Sequence, residues 1–197
     1  MSQFLRMDIL YKLRSQKLWL VLFIICFFIQ ILHLEPEFRF DRQLIERWQV
    51  WRLISGHLTH LNWSHFLLNM AGLAMVVIFF AGYRSNRYWA QALLFISLLC
   101  SAGLLLDNQL ERYVGFSGVL HGLFIIGARC EMQRYKISGL VLMFIIIAKL
   151  VWEQMYGALP GSESVAGGRV AVNAHLYGGL AGAIFLLKDV FKLSVKK

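Results

Sequence analysis

The apolar residues of this chain fall in blocks of roughly 18–22, a length that crosses the hydrocarbon core of a bilayer as a helix, with short polar segments between the blocks. Backbone in lipid finds no water, so its N–H and C=O groups must bond to one another, and a helix satisfies all of them locally. Composition agrees: 58% of the 197 residues are hydrophobic, 16% are charged and two are proline, with a mean hydropathy of +0.60. A soluble chain of this size needs more charge on its surface. The expected fold class is an all-α polytopic membrane protein with a single domain over residues 1–197.

Periodicity and block length predict six spans, at about 18–34, 62–81, 88–106, 113–128, 137–156 and 170–187. The formal charge of +9 suggests nucleic acid only until its distribution is examined. Arg6, Lys12, Arg14, Lys17, Arg84, Arg87, Arg129, Arg134, Lys136, Lys188, Lys192, Lys196 and Lys197 fall on one side, against Asp8, Glu131 and Asp189. The opposite side is near balance, with Glu35, Glu37, Arg39, Asp41, Arg42, Glu46, Arg47, Arg52, Asp107, Glu111, Arg112, Glu163 and Arg169. Such an excess of Lys and Arg marks cytoplasmic loops, so both termini are expected in the cytoplasm and no nucleic acid is expected as partner. The first block lacks a small-residue cleavage site and reads as a retained helix. Cys26 and Cys100 lie in apolar blocks and Cys130 in a basic loop, so no disulfide framework is expected.

Two outer segments are more than connectors. Residues 35–61 carry Phe38, Trp48 and Trp51 and read as an interfacial loop. Residues 157–168, rich in Gly, Ser and Ala, read as a flexible loop.

Polar groups inside a membrane are costly, so each is a functional candidate. His65 and Asn69 are four apart and share one helical face of the second span. At 1.5 Å per residue they lie about 5 and 10 Å from its outer end, Ser117 about 6 Å into the fourth span and His175 about 8 Å into the sixth. All three helices start from the outer face, which puts the four side chains in one layer. Gly115 and Gly118 flank Ser117 closely, and the Gly118/Gly122 and Gly178/Gly182 pairs permit close helix approach. Packing through those faces brings a serine near an imidazole able to take its proton. Orphan N–H groups at the helix start are available to an oxyanion.

These residues resemble the rhomboid intramembrane serine proteases. His60-Leu-Asn-Trp-Ser-His65-Phe-Leu-Leu-Asn69 is similar to their H-x4-H-x3-N motif, Gly115-Phe-Ser117-Gly118 to G-x-S-G, Ala174-His175-Leu-Tyr-Gly178 to A-H-x-x-G, and Trp51-Arg52 to the W-R pair of their first outer loop. The resemblance implies a six-helix bundle with Ser117 as nucleophile and His175 as base, acting without a third acidic residue. It implies an oxyanion site of His65, Asn69 and the Ser117 N–H, a structural role for Trp51 and Arg52, and a supporting one for His60. Where many rhomboids carry a Tyr packed on the catalytic His, this chain has His121. Gly-Phe-Ser-Gly-Val-Leu-His-Gly is similar to the rhombosortases, a compact bacterial branch. That branch implies a multi-pass protein of the bacterial inner membrane with its site opening to the periplasm. Its substrates would be exported, membrane-inserted proteins with a C-terminal Gly-Gly motif, a hydrophobic helix and a basic tail. A general rhomboid protease acting on other single-span proteins is the alternative.

Lys149 and Glu153, four apart in the outer half of the fifth span, read first as an internal ion pair, with substrate recognition as the sharper alternative. A haem-bearing cytochrome is disfavoured because His60 and His65, five apart, face different sides of a helix and no His pair matches across the leaflets. A small transporter leaves the serine motif without a purpose and lacks repeated halves. No cofactor and no metal are expected.

Overall fold

A computed structural model describes the backbone of residues 3–108 and 110–194 and the side chains of 16–108 and 110–188. Lys196 and Lys197, and the side chains of Arg6, Asp8, Lys12, Arg14, Asp189 and Lys192, lie outside the described residues. The chain is an all-α membrane protein. Its helices, in order, are α1 (Gln3–Ile31), α2 (Glu35–Phe38), α3 (Arg42–Glu46), α4 (Arg52–Ser55), α5 (Trp63–Phe80), α6 (Asn86–Leu106), α7 (Ser117–Arg134), α8 (Lys136–Tyr156), α9 (Ser162–Ala166) and α10 (Val172–Ser194). Among the described residues, three segments, Trp63–Tyr83, Asn86–Leu106 and Lys136–Tyr156, are long and apolar enough to cross a membrane.

The helix starts follow side-chain chemistry. Asn62 caps α5 by accepting from the His65 N–H at 2.9 Å, and Ser85 caps α6 by accepting from the Tyr88 N–H at 3.3 Å. At the other end of α6 the Arg42 guanidinium donates to the carbonyls of Leu104, Leu105 and Asp107 at 2.7–2.9 Å. A distant arginine thus satisfies carbonyls that the helix leaves orphaned.

The segment 35–61 is compact. A two-residue strand, β1 (Phe40–Asp41), pairs antiparallel with β2 (Arg112–Tyr113), Phe40 opposite Tyr113. Arg52 is buried and donates to the carbonyls of Pro36 and Arg39 and to the Gln49 side chain, so it binds three turns of the loop together. Trp51 stays half exposed, and its indole N–H reaches the Glu37 carbonyl at 3.4 Å. His57 sits under the loop, its Nε2–H aimed at the Ser97 carbonyl and the Ser101 hydroxyl, both at 3.0 Å. Burial pushes His57 down to about 4 and His60 to about 3, so both are neutral imidazoles at neutral pH.

Four expectations change. The fourth block does not start as helix at Tyr113, which lies in β2; the helix begins at Ser117 and runs on through Arg129 to Arg134. Cys130 is consequently buried in α7 and not in a loop. His60 precedes α5, so helical spacing does not separate it from His65; the two rings meet edge-on at 5.3 Å. The Gly-rich segment 157–168 contains a short helix, α9, between left-handed Gly161 and Gly167, and Asn62 donates to the Ala166 carbonyl at 3.1 Å.

The central packing is α10 on α7, with α6 and α8 against them. A Cβ on Gly178 would lie 1.8 Å from the Gly118 carbonyl oxygen, and one on Gly182 would lie 2.4 Å from that of Gly122. Only hydrogen fits at this seam, which is the close approach that paired small residues permit.

Candidate active site

Ser117 is the first residue of α7, not a residue one turn inside it. The turn that delivers it needs Gly115, whose φ of +125° lies in a region that side chains disfavour. A Cβ there would also strike the His65 ring at 2.8 Å. Tyr113 holds the turn by donating its hydroxyl proton to the Gly115 carbonyl at 2.6 Å. As the opening residue of a helix, Ser117 presents an N–H with no intrahelical acceptor.

His175 lies in the first turn of α10, beside the glycine seam. Its Nε2 is 2.9 Å from the Ser117 Oγ, so the close main-chain approach of α7 and α10 brings a hydroxyl and an imidazole into direct contact. The His121 ring lies one helical turn beyond Ser117 and stacks on His175, with centroids 4.2 Å apart and planes inclined by 22°. Replacement of an aromatic residue by histidine therefore leaves the stack intact.

His65 and Asn69 stand on one face of α5, across from Ser117, and all three line one cavity of about 620 Å³ with His175, Lys149 and Glu153. The Leu61 N–H donates to His65 Nδ1 at 3.4 Å, which leaves the proton on Nε2, on the edge of the ring that faces the Gly115 turn. Asn69 gives one amide N–H to the His65 carbonyl at 3.0 Å and retains a second. His60 packs edge-on against His65 and Phe66 and is itself buried.

Lys149 and Glu153 form the ion pair anticipated from their spacing, with Nζ to Oε1 at 2.6 Å. The other oxygen of Glu153 was not anticipated: Oε2 lies 2.8 Å from His175 Nδ1. The resemblance implied a histidine with no acidic partner, and here it has one. Two sequence facts hid the contact, since Glu153 sits on a different helix from His175 and already has a plausible partner one turn away. The signal was the cost of a carboxylate placed within an apolar span. Arg42 and His57, which fasten the loop beside the site, likewise carried no motif.

Among known proteins, the Rhomboid domain family model matches residues 47–190. A comparison with curated proteins finds no match. The matched region runs from the outer loop through α10 and contains Arg52, His65, Asn69, Ser117 and His175. The chain belongs to the rhomboid family of intramembrane serine proteases.

Proposed function

We propose that Ser117 and His175 catalyse peptide-bond cleavage at the outer side of the bacterial inner membrane. The observation that carries this reading is the 2.9 Å contact between Ser117 Oγ and His175 Nε2 at the floor of a cavity that His65 and Asn69 also face. The Ser117 hydroxyl attacks the scissile carbonyl while His175 Nε2 accepts its proton. The carbonyl oxygen gains negative charge as the tetrahedral centre forms. Donors for it are the Ser117 N–H, His65 Nε2–H and the free Asn69 amide N–H. Collapse of that centre breaks the C–N bond, and His175 returns the proton to the leaving amine. Water, or another nucleophile, then attacks the acyl-Ser117 ester by the same route.

A fluorophosphonate probe tests this directly. The expected adduct is on Ser117, located by mass spectrometry of the labelled peptide; labelling confined to another residue overturns the assignment. His65→Ala and Asn69→Ala are each expected to lower kcat by about 10²-fold or more, from loss of about 3 kcal/mol of oxyanion stabilisation. Unchanged turnover in both variants removes these residues from the oxyanion site.

The reading extends to topology and substrate. Six spans with both termini in the cytoplasm put the starts of α5, α7 and α10 at the periplasmic face, and the basic segments at the inner one. The histidine at position 121 supports the rhombosortase branch, whose substrates end in Gly-Gly, a hydrophobic helix and a basic tail. Comparing the C-termini of exported proteins with and without Ser117 is the test. Trimming at Gly-Gly segments that depends on Ser117 is expected. Ser117-dependent cleavage confined to other single-span proteins gives the general protease instead.

A further inference from the structure

The hydrogen bonds around the serine close on themselves. Ser117 Oγ meets His175 Nε2 at 2.9 Å; His175 Nδ1 meets Glu153 Oε2 at 2.8 Å; Glu153 Oε1 meets Lys149 Nζ at 2.6 Å. Lys149 Nζ also meets His121 Nε2 at 2.9 Å, and His121 Nδ1 meets the Ser117 carbonyl oxygen at 2.7 Å. The circuit leaves Ser117 by its side chain and returns to its main chain.

The direction of every bond in it follows from two end members. An ammonium can only donate and a carboxylate can only accept. Lys149 therefore donates to His121 Nε2, which must be a lone pair, and the His121 proton sits on Nδ1, facing a carbonyl that can only accept. Glu153 accepts from His175, whose proton therefore sits on Nδ1. The remaining nitrogen of His175, Nε2, is bare, and it is the one that faces the Ser117 hydroxyl. No contact in the circuit sets donor against donor or acceptor against acceptor.

Burial gives this arrangement weight. Glu153 is 3% exposed and His175 6% exposed, and a carboxylate so enclosed persists only with its charge met and its oxygens bonded. Lys149 meets the charge, and the two oxygens are each bonded once. Donor atoms of His121, Glu153 and His175 lie within 4.8 Å of one another, close enough to surround a cation. The cation bonded to two of the three residues is the Lys149 ammonium.

We propose that Glu153 is the positioning residue of a Ser117–His175–Glu153 triad, fixing the tautomer and the ring plane of the base, and that Lys149 and His121 hold it there. This rests on the nucleophile reading of Ser117. When His175 takes the serine proton, the imidazolium lies between the Glu153 carboxylate and the oxyanion, opposite charges on both sides.

Glu153→Gln tests the proposal with little change of shape. The new amide nitrogen must face either Lys149 Nζ or His175 Nδ1. Facing Lys149 sets two donors together, so it turns to His175 and imposes a proton on Nε2. That tautomer cannot accept the serine proton. Expected are a fall in kcat of about 10²- to 10⁴-fold, KM within about threefold, and recovery to within about tenfold in Glu153→Asp. A second measurement needs no active-site carboxylate variant: ¹⁵N-histidine NMR of the wild-type protein in bicelles, with the His175 signal assigned by its loss in His175→Asn. A proton on Nδ1 at neutral pH is expected. A proton on Nε2, or wild-type kcat in Glu153→Gln while Ser117→Ala is inactive, overturns the triad and leaves the nucleophile standing. Retained cleavage by Ser117→Ala overturns the nucleophile itself.

Discussion

Ser117→Ala and His175→Ala are each expected to lower kcat by about 10⁶-fold, and the double variant to lose no more than either single one. A nucleophile and its base act as a unit, so removing one leaves the other without a task, and the losses do not add. At 1.36 kcal/mol per decade the loss is about 8 kcal/mol of transition-state stabilisation. KM is expected to move little, because neither side chain is part of the substrate-binding wall alone. The measurement is single-turnover cleavage of a membrane-reconstituted substrate, with purified variants checked for wild-type thermal unfolding. Additive losses, with the double variant's fall in kcat equal to the product of the two single falls, show that the two residues act independently. The 2.9 Å contact is then structural.

Gly178→Ala carries the second large effect, through packing instead of chemistry. Its Cβ would lie 1.8 Å from the Gly118 carbonyl oxygen and 2.5 Å from the carbonyl carbon. These are main-chain atoms of a helix and cannot swing aside. Ordinary contacts lie near 3.5 Å, so α10 must move off α7 by about 1.5 Å. Replacing a helix-interior glycine by alanine favours the helix by about 1 kcal/mol, whereas overpacking costs about 1–3 kcal/mol and at rigid sites more. The second term wins. A reacting pair displaced by about 1 Å loses about 10²-fold, and Ser117 and His175 ride on these two helices. Both Tm and kcat are therefore expected to fall in Gly178→Ala. Gly82→Ala serves as control, since a Cβ there meets nothing within 4 Å. A Gly178→Ala protein with wild-type Tm shows that the seam is looser than the distances imply.

Much of the frame was legible because lipid leaves few options. Block length marked α5, α6 and α8 to within two residues at each end, and the glycine pairs named the seam between α7 and α10 before any geometry. The start of α7 was misplaced because apolar Tyr113 and Val114 extend the hydrophobic run, although Tyr113 belongs to a strand pair and Gly115 needs a left-handed turn. The sequence carries no periodic signal for a turn inside an apolar run. His60 differs from its expected placement for a related reason: it precedes α5, where helical spacing has no meaning. Lys149 and Glu153 were paired correctly, yet a carboxylate has two oxygens, and spacing along one helix says nothing of what the second one meets on another. Contacts between distant segments, Glu153 with His175 and Arg42 with the end of α6, are set by packing in three dimensions and leave no local pattern.

The glycine interlock also acts as an index. Each carbonyl on α7 sits where a side chain on α10 would otherwise stand, so a slide of one residue, about 1.5 Å along the axis, drives main chain into main chain. The spacing and register of the two helices that carry the serine and the imidazole are thereby inherited from backbone geometry, while Glu153 and His121 set the plane of the ring. A consequence for engineering follows: the exposed apolar positions on α10, such as Leu180, Ile184 and Leu187, can be exchanged to suit another lipid or detergent while the machining tolerance of the reactive pair stays as it is.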